Sequence, residues 1–409
     1  MATMKDKVAE PEALGLSSNR LGRIDRWMAD LVSDGRLAGL SVAVQRRGQL
    51  AYFKSHGLMN EARNKPFAAD TIVRIYSMTK PVTSVAAMML FEEARFLLDD
   101  PVSKFLPTFA NQRVMPAGGF GAGGTVPAER DITMRDLFTH TSGLTYGFMM
   151  ATPVDALYRQ HGVDFQNSDL TLAEVVDKAA RLPLLAQPGK AWNYSISTDV
   201  LGRVVEVISG QPFDEFVRER ILKPLKMVDT DFHVHPGKEA RFASCYLKEP
   251  GKPRALIDDA ATSPFLKPGR LPSGGGGLVG TSADYLRFCQ MLLNRGELDD
   301  VRVLGRKTVE YMTRNHLGGD LASLGTPRFA ENSYHGIGFG LGFSVVLDPA
   351  KAEVMASVGE YAWGGLASTA FWCDPQEELA VVLLTQLIPS ATYPIRRELR
   401  SLVYQALVD

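Results

Sequence analysis

A chain of 409 residues is longer than one hydrophobic core usually grows, so two cores, or one with a second inserted into it, are expected. With 45% hydrophobic and 22% charged residues the composition is that of a soluble globular protein, which excludes a disordered or fibrous chain. Lys and Arg number 45 against 46 Asp and Glu, and a net charge of -1 gives no electrostatic footprint for nucleic acid or an anionic membrane.

Met1 to Arg20 is polar and charged, without the apolar stretch of a secretory signal, and no later segment reaches the length of a membrane span. Cys245, Cys289 and Cys373 are odd in number, far apart and free of C-x-x-C pairing, which argues against a disulfide framework and a thiolate metal site. Together these features predict a cytoplasmic protein. A serine-capped helix is predicted from Ser18, with Leu21, Ile24, Met28 and Leu31 on one stripe and Gly35 closing it. Leu40 to Gln45 and Gln49 to Phe53 read as a hairpin turning at Arg46-Arg47-Gly48. A long apolar helix is predicted from Ser77 to Phe96, with Val82, Val85, Met89 and Leu90 on one stripe and Asp99-Asp100-Pro101 as its stop. Asn111 to Arg130, rich in Gly, Pro and Ala, reads as a long mobile loop of the kind that rims an active site. From Ile132 to Lys267 the signals are mostly helical, including Leu172 to Leu182 and Thr198 to Ile208, the latter ending at Gly210. Helices follow from Ser282 to Leu293 and from Arg306 to Arg314. Gly338 to Leu347, Ala367 to Cys373 and Leu379 to Leu384 then read as a strand meander with turns at Asp348-Pro349 and Asp374-Pro375. The expected class is α+β. An antiparallel sheet drawn from residues 1–96 and 274–409 is covered by helices, a mainly helical domain of residues 97–273 is inserted, and the active site lies in the cleft between them.

Ser77-Met78-Thr79-Lys80 is the first chemical candidate, because residues three apart on a helix share a face and let the Lys amine reach the Ser hydroxyl. Pro81 belongs near a helix start, which places the hydroxyl at the positive end of the helix dipole. Alone, S-x-x-K is more often a capping serine with a solvated lysine. The chain also offers Tyr194, within Pro188 to Ser195, as a third proton-handling group, although a core tyrosine is the simpler reading of that residue in isolation. Trp363-Gly364-Gly365-Leu366 offers a strand whose paired glycines let a backbone approach a ligand, or equally a plain turn.

S-x-x-K followed by K-T-G marks β-lactamases and penicillin-binding proteins. The ordered set here resembles that serine β-lactamase superfamily, and within it the class C-like carboxylesterase branch known as family VIII. There W-G-G stands in place of K-T-G and the middle motif begins with Tyr. The likeness runs from residue 17 to 400 and includes His140-Thr141-Ser142-Gly143-Leu144, the Gly274 to Gly277 run and Phe371-Trp372-Cys373-Asp374-Pro375. The resemblance implies a β-lactamase/transpeptidase-like fold and a carboxylesterase acting on short- to medium-chain esters. It makes Ser77 the nucleophile, Lys80 its activator and Tyr194 the proton shuttle, and it puts the backbone N–H groups of Ser77 and Leu366 in the oxyanion hole. Trp363, Gly364, Gly365 and Ile196 would contact substrate. No cofactor and no metal are implied, and the partner is a small-molecule ester. Ile196 stands where class C β-lactamases carry Asn, and Trp363 where they carry Lys, which counts against amide and carboxylate recognition. β-Lactam or D-Ala-D-Ala peptide hydrolysis and acyl transfer are the alternatives on the same residues. A binding module without activity fits the intact set poorly.

Other signals are weaker. G-x-S-x-G is absent, which removes the main support for an α/β-hydrolase. The Gly274 to Gly277 run lacks the Gly-Lys-Ser/Thr continuation of a phosphate loop and is read as backbone passing close to the sheet. His233 and His235 flank Val234 on one side of a possible strand but have no third ligand nearby, so they read as surface histidines. His140 could act as a base, yet S-x-x-K chemistry needs no histidine.

Overall fold

The structure, a computed structural model, describes residues 8–116, 118–119, 124–165, 169–325, 328–329 and 331–409. Helix α1 (Ser18–Ser33) starts one residue after its cap, because Ser17 rather than Ser18 accepts the Arg20 N–H, and it buries the predicted stripe of Leu21, Ile24, Met28 and Leu31. Strands β1 (Gly39–Arg46) and β2 (Gln49–Asn60) form the expected hairpin, with Arg47 and Gly48 both at positive φ in its turn. β2 runs past Phe53 and pairs at its end with β3 (Lys65–Pro66).

Helix α2 (Thr79–Glu92) is shorter than predicted at both ends. Ser77 lies before it, in a 3-10 turn (Tyr76–Met78), and the helix stops where Ala94 takes a left-handed φ of 53°. No apolar stripe distinguishes it: every residue from Thr79 to Leu90 is buried, so it is a central helix rather than a surface one. Helices α3 (Met134–Thr139), α4 (Pro153–Gln160), α5 (Leu172–Ala180) and α6 (Ser197–Ser209) follow, the first three opened by Thr capping boxes. Of the predicted Asn111 to Arg130 loop, residues 117 and 120–123 lie outside the described residues. Arg113–Val114 in that segment pairs with Val126–Pro127, and none of its described residues lines the cavity over Ser77 described below.

Helices α7 (Ser282–Leu293) and α8 (Arg306–Met312) precede the last strands. Gly338 to Leu347 is two strands rather than one, β4 (Ile337–Phe339) and β5 (Ser344–Val346), because Gly342 turns the chain at a φ of 98°. β6 (Tyr361–Gly364), β7 (Ala370–Asp374) and β8 (Leu379–Thr385) complete an antiparallel sheet in the order β4-β5-β6-β7-β8-β1-β2-β3. A final helix, α9 (Ile395–Tyr404), has no counterpart among the predicted elements; it buries Ile395, Leu399 and Val403 at helical spacing.

The sheet joins the two ends of the chain through β1 and β8, paired from Leu40 with Thr385 to Arg46 with Leu379. Because strand side chains alternate, β8 feeds two cores. Leu379, Val381 and Leu383 face α1 and α9, while Ala380, Val382 and Leu384 join the larger core that holds α2, α6 and α7. That larger core runs from the sheet into the inserted helices, with Val82, Leu137, Val200 and Phe371 in one cluster. Among the described residues no helix is long and apolar enough to cross a membrane.

Candidate active site

Ser77 is presented by a braced turn. Val73–Arg74 pairs with Val279–Gly280, and the buried Arg74 guanidinium donates to Asp258 (2.6 Å), the Ala243 carbonyl (2.7 Å) and Ser263 (3.0 Å). Tyr76 then adopts a φ of 44°, a costly conformation for a residue with a large side chain and one found where the surroundings over-determine it. Pro81, third in α2, gives up an N–H that has no helical partner at that position.

Lys80 is 2% exposed and donates to Ser77 Oγ (3.3 Å), Tyr146 Oη (2.9 Å) and the Gly275 carbonyl (2.6 Å). From the other side, Tyr194 Oη donates to Ser77 Oγ at 2.6 Å, and the Lys80 amine sits 4.6 Å from the Tyr194 ring centre. The structure thus brings Ser77, Lys80 and Tyr194 into one cluster. It adds residues that no sequence motif singles out. Burial, with the charge of Asp199 and the neighbouring Tyr194, pushes the Tyr146 hydroxyl well above its usual range, so it stays protonated. Asp199, in the first turn of α6, accepts from Ser273 Oγ (2.6 Å) and the Gly275 N–H (2.9 Å), which holds the Gly275 carbonyl against Lys80. Burial raises the Asp199 carboxyl while Lys80 works in the opposite direction.

The Gly274 to Gly277 run therefore passes close to the lysine and not to the sheet. A Cβ on Gly274 would stand 2.7 Å from the Thr198 carbonyl, and one on Gly275 2.4 Å from Asp199 Oδ2 and 2.8 Å from Tyr146 Oη.

A cavity of about 810 Å³ opens over Ser77, lined nearby by Tyr146, Phe148, Tyr194, Trp363, Gly365 and Leu366. That volume suits a drug-sized molecule. Trp363 packs 5.5 Å from Tyr194 and edge-on to Phe339 at 5.3 Å, forming an aromatic wall. Gly364 also lines the cavity. Ile196 does not: it is 1% exposed, caps α6 and packs into the core below the site. His140 is buried among Trp192, Tyr194 and Phe339, and burial with the nearby Lys80 charge holds its imidazole well below the usual range. His233 and His235 lie in a segment that is not a strand, His235 beside Asp231 at 3.3 Å. Among the described residues no group of three or more potential ligands could hold a metal ion.

Residues 24–405 match the beta-lactamase family. The chain belongs to the beta-lactamase family. Within it, the chain is 36% identical over 362 residues to the protein Rv1367c of Mycobacterium tuberculosis, covering 87% of each. It is 31% identical to the esterase EstB of Burkholderia gladioli over 97% of this chain and 98% of that one. Among solved structures, EstCE1, a hydrolase with promiscuous acyltransferase activity, superimposes with a TM-score of 0.80 at 27% identity, over 94% of this chain and 99% of that one. The β-lactamase and transpeptidase fold, with helices packed on an antiparallel sheet, is the fold of this chain.

Proposed function

We propose that this family member is a serine carboxylesterase working through an acyl-enzyme on Ser77. The observation that carries the reading is the pair of contacts to one hydroxyl, Tyr194 at 2.6 Å and Lys80 at 3.3 Å, at the floor of an aromatic-walled cavity. A serine hydroxyl is a weak nucleophile until a neighbour takes its proton. With one proton given up beforehand by the Tyr194–Lys80 pair, that pair takes the Ser77 proton as the oxygen attacks the ester carbonyl, and the negative charge passes to the carbonyl oxygen. The bond between Ser77 Oγ and the carbonyl carbon forms, and the oxyanion is held by the backbone N–H groups of Ser77 and Leu366. The bond to the alkoxy oxygen then breaks, and the stored proton leaves with the alcohol. Water repeats the sequence on the acyl-enzyme, releasing the acid and restoring Ser77. Trp363, Gly364 and Gly365 wall the acyl site, and the substrate is a small ester of short to medium chain.

The similarity to the esterase EstB and to EstCE1 supports this reading. The promiscuous acyltransferase activity of EstCE1 also favours a second outcome for the same intermediate, capture by an alcohol instead of water, which would appear as a new ester when a small alcohol is added.

Purified protein is expected to hydrolyse a short-chain nitrophenyl ester and to take up one fluorophosphonate on Ser77, seen by intact and peptide mass. Ser77→Ala should lose both while melting within a few degrees of the parent, since the serine sits in a turn and caps no helix. Near-parental turnover by that variant would overturn the assignment.

A further inference from the structure

The hairpin that carries Leu366 is gripped from behind by one side chain. Arg396, in the first turn of α9 and buried, donates from Nη2 to the Gly365 carbonyl (2.8 Å) and to the Thr369 carbonyl (2.9 Å). Those two residues form the neck of the β6–β7 turn, since the Gly365 N–H itself donates to the Thr369 carbonyl at 2.9 Å. The Gly365 carbonyl and the Leu366 N–H belong to one planar trans peptide, so they point in opposite directions. Whatever holds the oxygen also aims the N–H.

The glycine pair fits this arrangement. A Cβ on Gly364 would stand 2.8 Å from both Cζ and Nη2 of Arg396, so only glycine leaves room for the guanidinium. A Cβ on Gly365 would meet Thr369 Oγ1 at 2.2 Å and, across in the segment leading to Ser77, the Ile75 carbonyl at 2.4 Å. One glycine admits the arginine, and the other lets the hairpin close on the nucleophile turn. The charged and titratable groups facing Arg396 are Glu331, Tyr334, Tyr194 and Arg400. Glu331 is the acid among them, 3.6 Å from Nε, and burial pushes its carboxyl up to about 7. The Nη2 hydrogen bonds of the guanidinium therefore go to the active-site turn rather than to a carboxylate, and its charge stands behind the peptide.

We propose that Arg396 is a positioning residue of the oxyanion hole: it holds the Gly365–Leu366 peptide by the carbonyl, so that the Leu366 N–H is aimed and polarised toward the oxyanion formed at Ser77. The proposal rests on the acyl-enzyme reading above. A hydrogen bond from a cation strengthens the donor at the far end of the same peptide. Its benefit appears only when negative charge develops, which separates it from a plain structural staple.

The experiment compares wild type, Arg396→Lys and Arg396→Gln on a nitrophenyl ester, on an alkyl boronic acid that forms a tetrahedral adduct with Ser77, and on the rate of phosphonylation by a fluorophosphonate. Arg396→Gln is expected to lower kcat by about tenfold to a hundredfold, in the range of a weakened oxyanion donor. KM should stay within about twofold, and boronate affinity and phosphonylation rate should fall by the same factor as kcat, with Arg396→Lys regaining part of each. An unchanged kcat, a change in KM alone, or a lower kcat with undiminished boronate affinity would overturn the proposal. Should Arg396→Gln fail to fold, Gly364→Ala displaces the guanidinium while keeping the arginine, and full kcat and boronate affinity in that variant would overturn it equally. A wild type that is phosphonylated on Ser77 yet hydrolyses no ester refutes the esterase reading alone, and the phosphonylation rates then decide on Arg396. A wild type inert to both refutes the two together.

Discussion

Lys80 has three N–H bonds to give and three acceptors to receive them: the Ser77 hydroxyl, the Tyr146 hydroxyl and the Gly275 carbonyl. Lysine, tyrosine and serine thus form one hydrogen-bonded unit, and units of this kind respond non-additively to deletion. Lys80→Ala and Tyr194→Phe are each expected to slow acylation by orders of magnitude, and the double variant by little more than the worse single one. Fully multiplicative losses in a double-mutant cycle on the acylation rate would separate Tyr194 from the machinery. The S-x-x-K spacing and the order of the later motifs make the meeting of Ser77, Lys80 and Tyr194 legible in the sequence. The places of Tyr146 and Asp199 are not, because each is ordinary in its local context and joins the cluster only where the Gly274 to Gly277 backbone packs between them. A carboxylate directly before the apolar Val200 and Leu201 in the first turn of α6 is the one available hint. Ile196 shows the converse, since its place in the motif suggests substrate contact while the fold turns it into the core.

At the level of elements, periodicity locates α1, the β1–β2 hairpin, α6 and α7 closely, because caps and stripes are local signals. It overextends α2, whose ends are set by the left-handed Tyr76 and Ala94 and not by any breaker residue. It also passes over α9, whose role is to cover the sheet and deliver Arg396. Helix α7 carries a buried carboxylate with a measurable consequence. Asp284 accepts from the Asp229 N–H (2.7 Å) and Thr230 Oγ1 (2.9 Å), tying α7 to the segment after α6, and burial pushes its carboxyl up to about 6. The folded chain therefore holds a proton on Asp284 at pH values where the unfolded chain has lost it. By linkage, this contribution to stability is present below the unfolded value near pH 4 and is lost as pH rises through about 6. Asp284→Asn keeps an oxygen for both donors and removes the titration. Its melting temperature should gain on the parent between about pH 4 and 7, by the equivalent of on the order of 2 kcal/mol. Parallel stability–pH curves from chemical denaturation would refute the assignment of that slope to Asp284.

On the scale of the molecule, the candidate site lies where the turn after β6, the start of α2 and the segments carrying Tyr146 and Tyr194 meet, and each brings different groups: the Gly365–Leu366 backbone, Ser77 with Lys80, and the two tyrosines. Such an arrangement serves any acyl substrate, so specificity must come from the walls. β-Lactams and D-Ala-D-Ala peptides bring a carboxylate into the cleft, and once water is excluded that charge needs a cation or a full set of donors. At the position where the lactamase pattern places Lys this chain presents Trp363, an indole packed on Tyr194 and Phe339. Ile196, at the position of the lactamase Asn, is turned into the core and supplies no amide. A neutral ester needs neither group and gains from contact with the aromatic wall formed by Trp363, Tyr194, Tyr146 and Phe148. The expected order of kcat/KM at one pH is therefore a short-chain nitrophenyl ester well above a cephalosporin and a D-Ala-D-Ala peptide. Trp363→Lys should narrow that gap from both sides, by weakening the ester's apolar contacts and by giving the carboxylate a partner. A cephalosporin or peptide turned over as well as the ester by the parent protein would reassign the substrate class while leaving Ser77, Lys80 and Tyr194 in their roles, because the difference between these substrates is felt at the wall and not at the nucleophile.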